Sequence, residues 1–437
     1  MIAGVSLSIR AFALLGLTSA VLIFAFVEPL LGWLALGLDA LILALVAVDA
    51  RNARRLPVTL ARELPSTVHQ GEALTIDLVA VNEGDDPVLV RVRETLAPEL
   101  VDAAVDIALT LPPGSRARRP YAVTPRLRGL AALDPVSYRL LGPWGLCWVA
   151  GSASPEQTVK VYPRVHLEGE AGLLLRQASR RRGANPVSVR GISTELYALR
   201  EYLPGDDYRR IHWKASARTR RPVTRENTWE QHQHVVALVD CGRPMASLAG
   251  VYSKLDHTLA AVLALLRVVV ARNDSATLVL FSKDIRHVVR VTRRTANFAP
   301  IFERIYAEQA DLEEPDYAAV AAWCSRRVPR RSLALVCTSV LDLVTAETLG
   351  RALVGLSKRH RPLLVNLEDP GLVGHARSIP EDLEGAYAKV SAMSMARADR
   401  ALGARLRGAG VDVLPVSADR IAVGMIQKYL DLKSRQL

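Results

Sequence analysis

Hydrophobic and polar positions along this chain follow three successive patterns. Two long apolar runs dominate residues 1–50, apolar and polar positions alternate over residues 57–165, and short apolar runs alternate with helix-like segments from residue 234 onward. The first pattern is typical of membrane spans, the second of half-buried strands and the third of an α/β sheet. The sequence therefore predicts four regions, with a linker as the third, at 1–55, 56–166, 167–233 and 234–437.

The first region contains two apolar runs, at about 11–27 and 30–48, separated by Glu28-Pro29. Each run is close to the roughly 20 residues that cross a hydrocarbon core, and the proline favours a turn between them. Arg10 precedes the runs and arginines follow them, whereas the connecting turn has no Lys or Arg. By the positive-inside rule we expect a transmembrane hairpin, with both termini and the soluble domains in the cytoplasm. A cleaved signal peptide is the alternative.

One carboxylate interrupts the second apolar run. Asp39 lies near the middle of that run, where a charge is costly, so a proton or partner site is one interpretation. In a hairpin that turns at Glu28-Pro29, Ser19 lies at the same depth as Asp39, with Thr18 beside it. A hydroxyl that hydrogen-bonds a protonated Asp39 would hold the two helices together. We favour this structural role.

The second region is rich in proline, since twelve of the 24 prolines lie between residues 57 and 165. Short alternating stretches run between these prolines, with turn residues spaced as in a β-sandwich. The sequence of this region contains no cluster of nucleophiles or metal ligands, so we expect a spacer or binding module. The clearest predicted strands are 74–79, 88–92, 121–124 and 158–162.

The fourth region predicts a doubly wound, mostly parallel sheet, because strand-like and helix-like segments alternate along it. Ligands of such sheets bind beyond the carboxyl ends of the strands, where Asp240 would end the first strand. The predicted strands are 234–240, 276–281, 288–291, 332–338, 363–367 and 411–416. The predicted helices are 253–272, 317–327, 346–359, 382–408 and 418–433.

Composition narrows the class of protein. Hydrophobic residues make up 50% and charged residues 23%, as in a folded chain, and the four cysteines form no C-x-x-C pair. The formal net charge is +12, and residues 176–225 hold thirteen Lys or Arg against four Asp or Glu. Such an excess favours an acidic protein, nucleic acid or lipid headgroups as partner, although a solvated basic face without a specific partner is the simpler interpretation.

The basic stretch contains a distinctive segment, residues 199–219, which reads LREYLPGDDYRRIHWKASART. Pro204-Gly205 predicts a turn, after which Asp206 or Asp207 caps a short helix. We expect this helix to bury Trp213 and to pack through Ile211 and Ala215. Its other side would be basic, with Arg209, Lys214 and Arg218.

This segment closely resembles the signature of the bacterial domain-of-unknown-function-58 family, roughly L-R-x-Y-x-x-G-D-D-x-R-x-I-x-W-K-x-S-A-R. Other stretches also resemble the family, namely Arg128-Gly129, Gly142-Pro143-Trp144-Gly145-Leu146 with Gly142 in place of the usual Asp, Val161-Tyr162-Pro163, and Tyr429 to Lys433 as Y-L-x-x-K. The resemblance marks a set of signature residues as partner-binding candidates. They are Arg200, Tyr202, Gly205, Asp206, Asp207, Arg209, Ile211, Trp213, Lys214 and Arg218.

The resemblance also implies an architecture and a partner. The architecture is an inner-membrane hairpin, a β-sandwich and a von Willebrand factor type A-like α/β domain. Genes of this family commonly lie beside genes for MoxR-type AAA+ ATPases, which implies such an ATPase as a protein partner in a chaperone-like, envelope or stress role. No biochemical activity is established for the family as a whole.

Type A domains often hold Mg²⁺ through D-x-S-x-S after the first strand, using hard oxygen ligands. Here that motif reads Asp240-Cys241-Gly242-Arg243-Pro244, so Gly242 and Pro244 replace both serines. Ser339 stands where related proteins tend to have Asp, and Arg243 adds an opposing cation. We therefore expect a degenerate site without metal or other cofactor, in which Asp240 pairs with a basic group such as Arg243 or caps a helix.

The sequence lacks a P-loop, a dinucleotide-binding fingerprint and the common hydrolase motifs. It therefore favours a non-enzymatic, membrane-anchored adaptor that docks a protein on a basic surface around Arg200, Arg209, Lys214 and Arg218. One alternative is a basic groove that binds nucleic acid or anionic lipid, with Tyr202, Tyr208 and Trp213 as stacking aromatics. An uncharacterised enzyme is the other alternative.

Overall fold

The architecture was obtained as a computed structural model, in which the chain divides into two compact units. The first unit comprises residues 1–164 with Tyr306–Glu308, and the second comprises the rest. The residues described are 4–21, 29–94, 105–153, 156–164, 172–173, 196–202, 211–227, 233–292, 298–328, 331–340, 343–368, 370–380 and 382–434.

The first unit begins with two apolar helices, α1 (Ile9–Val21) and α2 (Pro29–Ala53). The most apolar 18-residue stretch within Leu30–Ala53 of α2 has a mean hydropathy of 2.3 and is mostly not buried within the protein. It is the one helix of the described residues that is long and apolar enough to cross a membrane, which by itself is weak evidence for membrane association. Helix α1 has 13 residues, and the remainder of the first predicted span lies outside the described residues.

A hydrogen bond joins the two apolar helices. The hydroxyl of Thr18 on α1 donates to Oδ1 of Asp39 on α2, while Ser19 is exposed. Successive helical residues point about 100° apart, so only one of two neighbouring hydroxyls can face α2. The predicted contact between the helices is therefore made by Thr18 rather than by Ser19.

The rest of the first unit is β-rich, as its alternating pattern indicates. Its strands form a five-stranded sheet in the order β1-β10-β9-β5-β6, and two three-stranded sheets in the orders β2-β4-β7 and β3-β11-β8. One core cluster joins Leu78 and Val90 on strands of different sheets, so that those sheets pack face to face. The strands are β1 (Val5–Leu7), β2 (Val58–Glu63), β3 (Thr67–His69), β4 (Leu74–Asn82), β5 (Val88–Glu94), β6 (Val105–Leu111), β7 (Arg116–Val123), β8 (Gly129–Leu133), β9 (Val136–Leu141), β10 (Cys147–Ala153) and β11 (Gln157–Tyr162).

The end of α2 is joined to the β-rich part through Asp49, which is fully buried. Its carboxylate accepts hydrogen bonds from the backbone N–H groups of Trp144 (2.9 Å), Leu146 (2.9 Å) and Cys147 (3.3 Å). A Cβ atom added to Gly142 would lie 2.2 Å from Asp49 Oδ2. The carboxylate therefore occupies the space beside the very position where the resembled family usually carries an aspartate.

The second unit contains strand–helix alternation over 234–434, so the expected mixed α/β class is confirmed. Its strands are β12 (Leu196–Glu201), β13 (Val223–Asn227), β14 (His234–Asp240), β15 (Leu248–Ala249), β16 (Tyr252–Ser253), β17 (Ser275–Phe281), β18 (Ile285–Val291), β19 (Leu333–Thr338), β20 (Arg361–Glu368) and β21 (Asp412–Ser417). Its helices are α3 (Trp213–Thr219), α4 (Lys254–Ala271), α5 (Ala299–Ile305), α6 (Tyr317–Arg327), α7 (Leu343–Ser357), α8 (Pro370–Arg377), α9 (Leu383–Gly408) and α10 (Ile421–Ser434).

The main sheet of the second unit has the strand order β18-β17-β14-β19-β20-β21. Neighbouring strands are parallel except β18, which runs antiparallel to β17 at the edge. The central strand β14 is buried along almost its whole length, which explains its nearly unbroken apolar sequence. Helices α6, α7 and α9 contribute to one core cluster with β14 and β19, and α10 packs against α4.

Candidate functional site

In the signature segment, helix α3 lies in sequence between two strands that pair with each other. Strands β12 and β13 pair antiparallel on either side of it in sequence. The N–H of His212 donates to the carbonyl oxygen of Val223 (2.8 Å), and the N–H of Val223 donates to Ser216 Oγ (2.9 Å). These two hydrogen bonds attach the helix to Val223 of β13, and they fix the orientation of the helix relative to the β12–β13 pair.

The helix of the signature segment starts later than predicted. It begins at Trp213, and its N-cap is His212, whose Nδ1 accepts a hydrogen bond from the N–H of Ala215 (3.1 Å). Asp206, Asp207 and Arg209, which were expected to cap or to lie on a helix here, are outside the described residues. The signal for the cap was present in the sequence, because a His side chain can accept a hydrogen bond as Asp and Ser do.

The predicted site residues fall into three groups. Trp213, Lys214 and Arg218 lie on α3 and are exposed, with 72% of Trp213 accessible to solvent. The expectation that Trp213 is buried is therefore wrong, while Ile211 and Ala215 are half-buried as packing requires. Tyr202 follows β12 and its N–H donates to the carbonyl oxygen of Pro222 (2.8 Å). Gly205, Asp206, Asp207, Arg209 and the side chain of Arg200 lie outside the described residues.

A second candidate site lies at the carboxyl edge of the main sheet, where β14 ends in the fully buried Asp240. Its Oδ2 accepts hydrogen bonds from Thr338 Oγ1 (2.6 Å) and the Tyr317 hydroxyl (3.1 Å), and its Oδ1 accepts one from the Gly242 N–H (2.7 Å). Burial raises the pKa of Asp240 to about 6, and these three hydrogen bonds oppose that rise. Both carboxylate oxygens are thus bonded to groups of the protein itself.

The loop after β14 differs from the predicted pairing. Arg243 forms an exposed ion pair with Glu314 (2.9 Å) rather than with Asp240, so the expectation that it neutralises Asp240 is wrong. Gly242 lies so close to the carbonyl oxygen of Glu313 that a Cβ atom would be 2.7 Å from it, which explains a glycine there. Pro244 lies in a single 3-10 turn, Arg243–Met245, where its fixed φ fits the start of the turn.

Ser339 directly follows β19, and its side chain also forms hydrogen bonds within the protein. Its hydroxyl accepts a hydrogen bond from Lys254 Nζ (3.1 Å) and donates one to the carbonyl oxygen of Leu367 (3.1 Å). Lys254 is only 1% exposed, so an ammonium group lies among the polar side chains of this sheet edge. Across the described residues, no group of three or more His, Cys, Asp or Glu side chains is arranged to hold a metal ion.

A cavity of about 480 Å³ opens next to Ser339, between the end of β20 and helix α9. In its wall, Asn366 Nδ2 donates to Asp399 Oδ1 (2.7 Å), and burial together with the nearby Glu368 raises the pKa of Asp399. No sequence motif marks this cavity, because α8 and α9 bring residues to it that are distant from β20 in sequence. Its volume suits a small ligand.

The carboxy-terminal signature has a structural explanation. Tyr429 and Lys433 lie four residues apart on one face of α10, and both donate to Oδ2 of the buried Asp274, Lys433 at 2.5 Å. The other oxygen of Asp274 accepts the N–H of Gln233 (3.1 Å). The Y-L-x-x-K stretch therefore fixes α10 to the loop that precedes β17, and Asp274 is the partner that sequence analysis did not identify.

We expect Tyr429→Phe to destabilise the second unit by about 1–2 kcal/mol, because it leaves a buried carboxylate with one hydrogen bond fewer. Chemical unfolding of the full chain in detergent, followed by circular dichroism, measures this loss. Tyr387→Phe, at a tyrosine that is 68% exposed, is the matched control and should change stability by less than about 0.5 kcal/mol. Equal effects of the two substitutions would contradict the role of Asp274.

Comparison with known proteins gives a match to one family. Residues 198–382 match the model described as "Protein of unknown function DUF58", which supports the resemblance inferred from the signature segment. This stretch begins in β12 and includes α3, Asp240 and Ser339. No curated protein matches the chain.

Three similar solved structures each match about a quarter of the chain. A β-glucosidase from Listeria innocua shares 14% identity at a TM-score of 0.15, and the match covers 24% of this chain and 16% of that enzyme. The CARDB domain of a Pyrococcus furiosus protein shares 14% identity over 24% of this chain and 93% of the domain, at a TM-score of 0.17. A FixG-related protein from Vibrio parahaemolyticus shares 8% identity over 24% and 96%, also at 0.17. Similarities at such scores carry no functional argument.

Proposed function

We propose that this protein is a non-enzymatic, membrane-anchored adaptor that docks a protein partner through the exposed side of helix α3. The surface in question, the Trp213 surface, consists of Trp213, Lys214 and Arg218. The observation that carries the proposal is the exposure of Trp213, at 72% of its side chain and backbone area. A tryptophan on a helix held in place by hydrogen bonds has the chemistry of an interface anchor, since Trp and Arg dominate binding hot spots.

Charge around this tryptophan supports an acidic protein as the partner. Lys214 and Arg218 are exposed on the same short helix, and the sequence around them carries the strongest basic excess of the chain. Complementary charge accelerates encounter, while burial of the indole supplies most of the affinity. Docking would thus combine electrostatic steering with one packed apolar contact.

The buried aspartate supports a docking role that does not depend on a metal. Every hydrogen bond of Asp240 given above comes from Thr338, Tyr317 or Gly242. Magnesium is held by several hard oxygen ligands, and both oxygens of Asp240 already accept hydrogen bonds from the protein itself. Its place at the end of the central strand, in a sheet of doubly wound order, supports a von Willebrand factor type A-like domain with a degenerate metal site.

The anchor in this proposal is a hairpin of α1 and α2 in the bacterial inner membrane, with both termini in the cytoplasm. Its support is the apolar length of α2, the contact between α1 and α2, and the arginines that flank the apolar runs. The partner in this proposal is a MoxR-type AAA+ ATPase, which rests on the family resemblance.

Removal of the Trp213 side chain tests the proposed docking surface. We expect Trp213→Ala to weaken capture of the ATPase by the full chain in detergent by about 2–4 kcal/mol, the range of interface hot spots. Arg218→Glu should slow association, and this effect should shrink at high salt. Affinity capture from the organism's own cells with nuclease present, followed by mass spectrometry and then by binding kinetics with the purified ATPase, measures both.

Arg327→Glu is the matched control, because Arg327 is also exposed and also lies at the end of a helix, α6. It should leave capture and melting temperature unchanged. Capture of the ATPase by Trp213→Ala at wild-type affinity would overturn the assignment of the Trp213 surface. Failure to enrich any AAA+ ATPase, with nucleic acid co-purifying when nuclease is omitted, would favour the basic-groove alternative.

A further inference from the structure

Helix α9 carries a row of exposed apolar side chains on its first half. Leu383, Tyr387, Val390 and Met393 are 73%, 68%, 65% and 52% exposed. They follow one another at intervals of four, three and three residues, which places them on one face of the helix. These four side chains are called the α9 ridge below.

The ridge is held rigidly, because the second half of the same helix belongs to the core. Leu402 and Leu406 are buried in the core cluster to which α7 also contributes, and Asp382 caps the first turn by accepting the N–H of Gly385 (2.7 Å). The helix has 26 residues, so the core half determines the direction in which the ridge projects. A contiguous row of large apolar side chains of this kind is typical of an interaction surface.

Charge beside the ridge favours a second copy of the same chain as its occupant. Asp382, the N-cap of α9, and Lys389, whose Nζ also donates to the carbonyl oxygen of Ser378 (2.9 Å), lie seven residues apart, about two helical turns, and therefore on the same side of the ridge. Leu383 and Val390 have the same spacing. In a two-fold antiparallel pair of helices, the register that packs Leu383 against Val390 of the second copy also brings Asp382 close to Lys389 of that copy, and both contacts occur twice.

We propose that the α9 ridge is a two-fold docking surface through which two copies of this chain associate in the membrane. Acidic and basic groups on one flank make the surface complementary to itself, whereas Asp382 and Glu384 would repel an anionic lipid surface. One pair of half-helices buries less area than the roughly 1,200–2,000 Å² of stable complexes. Confinement of both copies to one membrane supplies the effective concentration that the contact needs.

Cysteine cross-linking in membrane vesicles tests this association with the full chain. The four native cysteines, Cys147, Cys241, Cys324 and Cys337, are buried and leave the background low. Tyr387 lies next to the two-fold axis of the proposed register, so Tyr387→Cys should form a covalent dimer with a short bifunctional maleimide. Leu312→Cys, at a side chain that is 80% exposed on a loop of the same unit, is the control for random collision.

Adding Val390→Glu to Tyr387→Cys should lower the cross-linked fraction about tenfold, equivalent to about 1.4 kcal/mol of association free energy. Since Val390 is exposed, this change should leave the melting temperature unaltered. Equal cross-linking of the Leu312→Cys and Tyr387→Cys variants would overturn the proposal. So would protection of the thiol introduced by Tyr387→Cys from a water-soluble maleimide without a covalent dimer, because a lipid surface or a foreign protein would then cover the ridge. Neither result depends on capture of an ATPase by the Trp213 surface.

Discussion

Substitution of Gly142 by aspartate is expected to destabilise the first unit severely, and the additional change Asp49→Ala is expected to restore it. A Cβ atom at position 142 would lie 2.2 Å from Asp49 Oδ2, so a side chain there must displace the buried carboxylate. That displacement would leave three backbone N–H groups without their acceptor and bring two carboxylates together. We expect a cost of about 3–5 kcal/mol.

Asp49→Ala alone should cost about 2–4 kcal/mol, because the same three donors lose their acceptor. In the double variant the carboxylate introduced by Gly142→Asp can occupy the vacated space, so the two costs should largely cancel. A double-mutant cycle, measured by chemical unfolding of the full chain in detergent, gives the coupling energy.

Gly37→Ala is the control on the same helix, since no atom lies within 4 Å of the added Cβ. It should leave stability unchanged or slightly improved, as alanine favours helix. Additive effects of the Gly142 and Asp49 substitutions would contradict the exchange of one carboxylate position for another.

Asp240→Asn is expected to gain stability relative to the unsubstituted protein as the pH rises from 4 to 8. The pKa of this carboxyl rises from 3.8 to about 6 on folding, because burial disfavours the charged form. A raised pKa contributes stability that is fully present below about pH 4 and is lost as the pH rises through about 6. At 1.36 kcal/mol for each pKa unit, the gain of the uncharged Asn variant should be about 3 kcal/mol by pH 8.

Thermal and chemical unfolding at pH 4, 6 and 8 measures this difference between the two proteins. His234 and His360, whose pKa values are lowered by burial, are common to both proteins and cancel in the comparison. Asp240→Ala should be less stable than Asp240→Asn at every pH, because it leaves the Gly242 N–H without an acceptor. Millimolar Mg²⁺ should change neither melting temperature, and a Mg²⁺-dependent rise in the unsubstituted protein alone would contradict the metal-free site.

The main sheet could be predicted closely from sequence, because its strands are buried on both faces and its helices on one. The run at 234–240 and the helical segment at 317–327 coincide with β14 and α6. A strand buried on both faces has a continuous apolar sequence, and a helix buried on one face has a periodic one. Asp240 at the end of the first strand followed from the same pattern.

The partners of the predicted polar residues could not be deduced in this way. Asp240 bonds to Tyr317 and Thr338, which lie 77 and 98 positions away in sequence, and no local periodicity reports such contacts. The exposure of Trp213 was mispredicted for a related reason, since burial of a single Trp depends on what packs over its helix. Asp49 was overlooked because its carboxylate serves a turn almost a hundred residues later.

The bond network of Asp49 also has a mechanical consequence. Three hydrogen bonds and the core contacts of Ala50 and Ala53 hold the end of α2 against strand β10 and the turn before it. If α2 lies in a bilayer, as we propose, the β-rich part of the first unit would tilt together with the helix. A bilayer thinner than the apolar length of α2 increases helix tilt. The thickness of the bilayer would thereby determine the angle between the β-rich part of the first unit and the membrane plane.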